Sequence, residues 1–164
     1  MDFETILLAI TTISLGLSTG FFYTWTFSVV GGIGRLDDRC YLLAMQAMNR
    51  AILNPGFFLV FLGSILMLPV TLWCYYQPPL GCQFWYITAA AAVYFPGTIL
   101  LTFLGNVPMN NQLDRFDIEA AKGEERREMR NFFERRWNRF NVVRTITSTT
   151  AFIMMVLACL QGSF

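Results

Sequence analysis

The sequence predicts an all-α protein that forms a four-transmembrane-helix bundle, and two observations support this. Hydrophobic residues make up 55% of the 164 residues and charged residues 14%, against roughly 45–50% and 25% in an ordinary soluble domain. The charges also lie in blocks: residues 51–113 and 145–164 contain no Asp, Glu, Lys or Arg, and the first 34 residues contain only Asp2 and Glu4. This pattern excludes a soluble globular domain, a disordered chain and a secreted disulfide scaffold, and it predicts a single membrane domain over residues 1–164.

Four spans are predicted from the uncharged stretches, and they cover about residues 4–30, 55–76, 84–105 and 141–161. The first stretch is too long, and its leading residues are too acidic, for a cleavable signal peptide. Asn54-Pro55 opens the second span, and Pro96-Gly97 predicts a kink in the middle of the third. The fourth span is short for a membrane crossing of roughly 20 residues, so its helix is expected to begin upstream.

Two inner-face segments, 35–54 and 106–140, connect the spans, and both are predicted to contain helices. In the first, apolar residues recur at helical spacing opposite Asp38 and Arg39, which indicates an interfacial amphipathic helix with Asp37 as its N-cap. In the second, no helix breaker precedes the fourth span, so one long helix from about 119 to 161 is predicted to protrude beyond the bilayer. Its apolar stripe consists of Met129, Phe132, Phe133, Trp137 and Phe140.

The positive residues predict the orientation of the bundle. Eleven of the twelve Lys and Arg residues lie between spans one and two or between spans three and four, and the twelfth, Arg144, lies at the inner start of span four. The positive-inside rule therefore places loops 31–54 and 106–140 in the cytoplasm and both termini on the other side. Charge in such blocks does not suit a nucleic-acid surface.

Cysteine and histidine usage limits the chemistry. Cys74 and Cys82 flank the outer turn, where a disulfide could form in an oxidising compartment. His is absent and the four Cys residues are scattered, so no metal site is predicted. The sequence indicates no particular cofactor.

Polar and aromatic residues occur near the inner end of every span. Trp137, Asn141, Arg144 and Ser148 are spaced by four, three and four residues, so they share one face of a helix. Amides and a guanidinium at this depth are costly unless they bond one another or a ligand. The sequence therefore predicts a pocket there, with the candidate residues Tyr23, Trp25, Arg50, Asn54, Asn106, Asn110, Trp137, Asn141 and Arg144.

Simpler interpretations of these residues stay open. Asn54 before Pro55 is typical of a helix N-cap, Arg144 could extend to the interface, and Trp137 and Tyr23 could belong to an interfacial aromatic belt. These interpretations leave the number of amides at one depth unexplained. A structural network or a polar pocket would each account for Asn49, Asn54, Asn106, Asn110, Asn111 and Asn141.

Four sequence blocks, in a fixed order, resemble the anthrone oxygenase-like family of small membrane proteins. They cover about residues 16–150 and read GFFYTW, AMQAMNRAILNPGFF, NVPMNNQLD and RRWNRFNVVRT. The resemblance implies a four-helix membrane bundle, and an oxidation of anthrones to anthraquinones with dioxygen.

Such chemistry without a metal needs an apolar pocket, a proton acceptor and donors for a developing oxyanion. Arg144, Asn54 and Asn110 are the catalytic candidates. The residues expected to bind an aromatic ligand are Tyr23, Trp25, Arg50, Asn106, Trp137 and Asn141. No general base is evident, because His is absent and the nearest carboxylates, Asp114 and Asp117, follow the NVPMNN block.

The alternative hypothesis is a non-catalytic accessory or assembly subunit of a larger membrane complex. In that case helix 119–140 would dock on a partner membrane protein through its apolar stripe, and the Asn residues would lock the helix ends together. An ion or proton pathway is disfavoured, because the outer halves of the spans have almost no ionisable groups.

Overall fold

The computed structural model describes residues 2–161, and its regular structure over that range is entirely helical. Four of its helices are long and apolar enough to cross a membrane. The predicted four-transmembrane-helix bundle is thus confirmed, and the chain is an integral membrane protein. In chain order the helices are α1 (Phe3–Ile33), α2 (Asp38–Ala51), α3 (Pro55–Cys74), α4 (Cys82–Asp114) and α5 (Gly123–Gln161).

Helix starts follow the local signals in the sequence. The Cys40 N–H donates to Asp37 Oδ1 over 3.0 Å, which confirms Asp37 as the N-cap of α2. This hydrogen bond lowers the pKa of the Asp37 carboxyl. At α3 the Phe57 N–H donates to Asn54 Oδ1 over 3.0 Å, and Pro55 occupies the first helical position, where a missing N–H costs nothing.

Helices α1 and α4 contain π-helical turns, near the C-terminal end of α1 and in the middle of α4. In α4 these turns span Phe95–Leu100 and Thr102–Asn106, and in α1 Trp25–Val29. Pro96 has no N–H and its ring crowds the preceding turn, which accounts for the first interruption of α4. The sequence predicted a kink at Pro96-Gly97, and the structure has a π-helical turn there, within a helix that continues to Asp114.

Helix α5 is the centre of the bundle. It packs against both α1 and α4, while α3 packs mainly on α1 and contacts α4 chiefly along Cys82–Tyr94. A close approach of α4 to α5 is made at Gly97, where a Cβ atom would overlap the Thr147 side chain. One of the two core clusters of the bundle is formed by α1, α3, α4 and α5. It includes Leu15, Phe61, Leu68, Ile87, Tyr94, Ala151 and Met155.

The outward surfaces of the four long helices are apolar. Large hydrophobic side chains with more than half of their surface exposed occur on each of them. A surface of this kind is stable against lipid and would be unusual on a monomer in water. Examples are Ile13 and Leu17 on α1, Leu59, Leu66 and Trp73 on α3, Trp85 and Leu104 on α4, and Ile146 and Leu160 on α5.

The apolar face of α2 packs on protein. Tyr41, Leu42 and Met45 are fully buried, in one cluster with Phe133 and Trp137 of α5. The sequence predicted an interfacial amphipathic helix here, and the structure shows an amphipathic helix whose apolar face packs against α5. The reason is that α5 extends past the other long helices and presents its own apolar stripe to α2. We call this extremity of the bundle the α2 end.

The apolar stripe of α5 is thus occupied within the chain. Phe133 and Trp137 are buried, and Met129, Phe132 and Phe140 pack against the same cluster. The exposed face of this part of α5 is charged, with Glu124 paired to Arg127. The stripe therefore offers no support for docking of a partner protein through helix 119–140.

Helix α5 begins at Gly123, four residues later than predicted. Residues 115–122 form turns, in which Asp117 Oδ1 accepts hydrogen bonds from the N–H groups of Glu119 and Ala120, each over 3.1 Å. A side chain that binds its own following backbone in this way competes with helix formation. The helix still has 39 residues, or about 58 Å at 1.5 Å per residue.

Two further predictions concern the other end of the bundle. The thiols of Cys74 and Cys82 are free in the structure, so the disulfide considered from the sequence is not formed. Met1 and residues 162–164 lie outside the described part of the chain. The sidedness of the bundle and of its termini stays a prediction.

Candidate functional site

A cavity of about 260 Å³ lies at the α2 end of the bundle, between all five helices. This volume is near the lower limit of sites for small organic ligands, which are about 300–1,000 Å³. One side of the cavity is aromatic, as in sites that hold flat apolar molecules. That side is made by Phe21, Phe22, Trp25, Phe57 and Phe61, with Trp137 next to them.

The facing wall is polar and belongs to α4. Thr102, Asn106, Asn110 and Asp114 recur every four residues, and all four line the cavity. They share one face because α4 continues as a helix through the NVPMNNQLD block and does not stop before it. The cavity therefore has one aromatic and one hydrogen-bonding side.

Arg144 lies on the cavity wall with only 6% of its surface exposed. Its Nη2 donates to Asn141 Oδ1 over 2.7 Å, and its Nη1 donates to Thr102 Oγ1 over 3.3 Å. The guanidinium carbon also lies 4.7 Å from the ring centre of Phe22 and 5.6 Å from that of Trp137. Hydrogen bonds and aromatic faces offset part of the cost of burying a cation.

No carboxylate of residues 2–161 forms a salt bridge with Arg144. Its Nε also has no hydrogen-bond partner in that range. A buried guanidinium that lacks a counter-ion and keeps a free donor is suited to binding an oxygen that carries negative charge.

Asn141 fixes the position of Arg144 from behind. Its Nδ2 donates to Thr26 Oγ1 over 2.8 Å, and its Oδ1 accepts from Arg144. Thr26 Oγ1 in turn bonds Thr145 Oγ1 over 2.7 Å. Asn141 is 1% exposed and does not line the cavity. It is therefore a positioning residue that ties the arginine to α1.

Trp137 links α5 to the polar wall. Its Nε1 donates to Asn110 Oδ1 over 2.8 Å, and its backbone carbonyl accepts from Asn106 Nδ2 over 3.4 Å. Its ring centre is 5.3 Å from that of Trp25. The two tryptophans and the two amides therefore form one contiguous part of the cavity wall.

Two buried amide atoms of the lining have no partner among the described residues. They are Asn106 Oδ1, an acceptor, and Asn49 Nδ2, a donor. Buried polar atoms in folded proteins are nearly always paired, with protein or with water, because an unpaired one costs about 1–3 kcal/mol. Together with Arg144 Nε, they indicate that the cavity is built for a ligand or for ordered water.

The cavity opens at its rim in two directions. Arg50 Nε and Asp114 Oδ1 form an ion pair of 2.5 Å at the aqueous edge, and both side chains are largely exposed. On the side that faces lipid, the lining includes exposed apolar side chains of α3 and α4. These side chains are Phe58 and Leu62 of α3 and Phe103 and Val107 of α4.

Most of the residues singled out from the sequence come together. Six of them line the cavity, and Asn141 contacts one of the six. The six are Trp25, Arg50, Asn106, Asn110, Trp137 and Arg144.

Two predicted site residues lie elsewhere. Asn54 was expected to floor the pocket, but its side chain is the exposed N-cap of α3 and binds the Ala51 carbonyl over 2.9 Å. Tyr23 was expected to stack on a ligand, but its ring is exposed and packs beside Phe27 at 4.5 Å. In both cases the direction of the side chain is decisive, because residues at the same depth of a bundle can point in opposite directions.

Sequence reasoning missed several lining residues. Thr102 and Asp114 are spaced by four from Asn106 and Asn110, a signal that was present in the sequence. Asn49 was noted only as one of six amides at the same depth. The phenylalanines of the aromatic side carry no local signal that separates them from lipid-facing residues, since every span is rich in apolar side chains.

Metal-ligating residues do not cluster in the described part of the chain. Residues 2–161 contain no group of three or more His, Cys, Asp or Glu side chains that could hold a metal ion.

Fold and site together define a small four-helix integral membrane protein with a cavity that opens at the end of the bundle, where a buried arginine meets an aromatic wall. The sequence profile described as anthrone oxygenase matches residues 57–154, more than half of the chain. The chain therefore belongs to the anthrone oxygenase family, as the four sequence blocks indicated. No curated protein and no solved structure matches it.

Proposed function

We propose that this protein is an oxygenase that converts an anthrone-like aromatic ketone into a quinone with dioxygen, in the cavity at the α2 end. The observation that carries the proposal is Arg144, a buried cation without a carboxylate partner in residues 2–161 that faces an aromatic-lined cavity. Membership of the anthrone oxygenase family supports the same reaction class.

The substrate would reach the cavity from the bilayer. A flat polycyclic ketone partitions into lipid, and the apolar rim between α3 and α4 faces lipid. Inside, its rings would pack against Trp25, Trp137 and the phenylalanines of the aromatic side. In this orientation the carbonyl oxygen of the substrate faces Arg144, and the hydrogen-bonding groups of the substrate face the polar wall of α4.

The first chemical step is loss of a proton from the ring carbon opposite the carbonyl. The electron pair moves on to the carbonyl oxygen, and the negative charge formed there is stabilised by the Arg144 guanidinium. Such stabilisation makes the carbon acid stronger, so water at the rim suffices as the proton acceptor. Asp114 lies twelve residues beyond Thr102, about 18 Å along the helix at 1.5 Å per residue, and its carboxylate is paired with Arg50, so it is not assigned as the proton acceptor.

The second step uses dioxygen as the oxidant. The carbanion donates an electron to O2, and the two radicals combine to form a carbon–oxygen bond, which gives a hydroperoxide on the same carbon. Loss of water from that carbon then leaves a carbonyl group. One oxygen atom enters the quinone and the other leaves as water, so the CH2 group and O2 become C=O and H2O.

Arg144→Gln tests this proposal in purified protein in detergent. The variant should lose about 10²–10³-fold in turnover, the effect of removing a donor to an oxyanion, while Arg144→Lys retains part of the activity. With anthrone as the substrate, oxygen consumption measures use of the oxidant and quinone absorbance measures formation of the product. Arg139→Gln is the matched control, because Arg139 is an exposed arginine of α5 that does not line the cavity.

Unchanged turnover in Arg144→Gln would remove Arg144 from the chemistry. If the wild-type protein consumes no oxygen with anthrone, the oxygenase proposal is wrong. Elution volume and thermal midpoint of each variant show whether a loss of turnover reflects unfolding.

A further inference from the structure

We infer that Asn106 determines ligand specificity: its side-chain oxygen accepts a hydrogen bond from a hydroxyl group of the aromatic ligand. The cavity would then select phenolic ketones over ketones without a hydroxyl group. This inference rests on the proposed function, because it takes the ligand to be an aromatic ketone held by Arg144.

The amide of Asn106 has a defined orientation. Its Nδ2 lies 3.4 Å from the backbone carbonyl oxygen of Trp137. A carbonyl only accepts hydrogen bonds, so the nitrogen must be on that side and Oδ1 must be on the other. With 1% of its surface exposed, Asn106 cannot reach bulk water.

Oδ1 of Asn106 has no hydrogen-bond partner within residues 2–161. The residue lines the cavity, so we assign the missing partner to a group bound there. Because the atom is a pure acceptor, that partner must be a donor. An apolar aromatic ligand can supply one only through a hydroxyl or amine substituent.

Arg144 supplies the opposite requirement one turn away. Its Nη1 bonds Thr102 Oγ1, and Thr102 precedes Asn106 by one helical turn, about 5 Å. A guanidinium only donates, so it needs an acceptor such as a carbonyl oxygen. The cavity therefore offers a donor, Arg144, and an acceptor, Asn106 Oδ1, to one ligand.

The position of the hydroxyl group on the ring follows from the need for a free hydroxyl proton. A hydroxyl on the carbon next to the carbonyl-bearing ring junction folds back on the carbonyl in an internal hydrogen bond and has no free proton. The next carbon places the hydroxyl farther from the carbonyl oxygen with its proton free. The structure thus favours the 2-hydroxy compound over the unsubstituted one.

Binding of 9,10-anthraquinone and 2-hydroxyanthraquinone, two ligands that do not turn over, tests the inference. Quenching of tryptophan fluorescence reports the affinity, because Trp25 and Trp137 line the cavity. The pH is kept below the pKa of the ligand phenol, so that its hydroxyl retains the proton. Wild-type protein should bind the 2-hydroxy compound about tenfold more tightly, the gain expected from pairing a buried acceptor.

Asn106→Leu removes the acceptor at similar volume and should bind both compounds equally. Asn106→Ala, which only enlarges the cavity, is a second variant for the case in which leucine does not fit. The matched control is Asn110→Leu, one turn further along the same wall. Its Oδ1 is already paired with Trp137, so this variant should weaken both ligands alike and keep the tenfold ratio.

Three results would overturn the inference: no preference in the wild-type protein, a preserved preference in folded Asn106→Leu or Asn106→Ala, or loss of the preference in Asn110→Leu alone. Its failure is distinct from failure of the oxygenase proposal. A preference that depends on Asn106 in a protein that does not oxidise anthrone would refute only the reaction. Turnover without such a preference would refute only the role of Asn106.

Discussion

Arg144 shows how the site and the membrane environment constrain one residue. A guanidinium placed among apolar side chains is expensive, and mutually paired charges are the usual remedy. Here the compensation comes from Asn141, Thr102 and two aromatic faces. Such neutral partners leave the positive charge uncompensated, which is what an anion-binding site requires and what a purely structural arginine avoids.

Asn54 is the residue for which the simpler interpretation holds. Its Oδ1 accepts from the Phe57 N–H, so Asn54→Ala should destabilise the protein by about 1 kcal/mol, the usual cost of a lost N-cap. For a chain of this size the thermal midpoint in detergent falls by about 2–4 °C. Asn54→Ser keeps a capping oxygen and should restore most of the loss.

Anthrone turnover per folded molecule is expected to be unchanged in Asn54→Ala, because the side chain does not line the cavity. A large loss of turnover at an unchanged midpoint would contradict the structural placement. It would return Asn54 to the catalytic set that the sequence suggested.

At the scale of elements, α4 does most to create the site. Its π-helical turns and its continuation to Asp114 bring a row of polar residues to face the aromatic side of the cavity. The same helix must also approach α5 closely at Gly97. A change at the contact between α4 and α5 should therefore also shift the residues of α4 that line the cavity.

Gly97→Ala tests this contact. The added methyl group overlaps the Thr147 side chain, and overpacking of this kind costs about 1–3 kcal/mol. We expect a lower thermal midpoint in detergent and a partial recovery in the double variant Gly97→Ala/Thr147→Ala, because the smaller residue on α5 makes room.

Gly20→Ala is the control for the loss of glycine itself, since a Cβ at that position meets no atom within 4 Å. Its midpoint should be unchanged or slightly higher. Equal destabilisation by the two alanine substitutions would show that close packing is not what requires Gly97.

In the whole molecule, the packing of α2 against α5 closes one end of the bundle. Arg130 of α5 donates to the carbonyl oxygens of Gly34 and Leu36 over 2.8 and 2.7 Å, and to Asp38 Oδ1 over 3.1 Å. Gln46 Nε2 of α2 bonds the Leu113 carbonyl over 2.7 Å. These bonds hold the connections between the long helices in one compact layer beneath the cavity.

The orientation of this layer is predicted by the positive residues and can be measured. In a chain that retains only Cys82, an exposed thiol beside the outer turn, a membrane-impermeant maleimide should label intact cells. In a cysteine-free chain carrying Lys122→Cys, an exposed position of the opposite turn, labelling should require permeabilised cells. The reverse pattern would show that the positive-inside rule fails for this protein.

Sequence reasoning was most reliable where the signal is local. The spans, the caps at Asp37 and Asn54, and the irregular turn at Pro96-Gly97 depend on neighbouring residues only. The start of α5 was misplaced because Asp117 binds its own backbone in a turn. At the site, six of the nine candidate residues line the cavity. The side chains of Asn54 and Tyr23 point away from it, and Asn141 contacts it only through Arg144.

The amino-acid sequence by itself determined that this is an integral membrane protein with four apolar helices long enough to cross a membrane, and where most of its helices begin. These properties follow from hydrophobicity, charge and capping, which act over a few residues. Only the tertiary structure decided which polar groups face one another and that α2 covers α5. It also decided that Arg144 and Asn106, beside a cavity, keep atoms with no partner among residues 2–161. The reason is physical: in a chain that is apolar on every face, composition does not distinguish lipid from neighbouring helix, and only packing does.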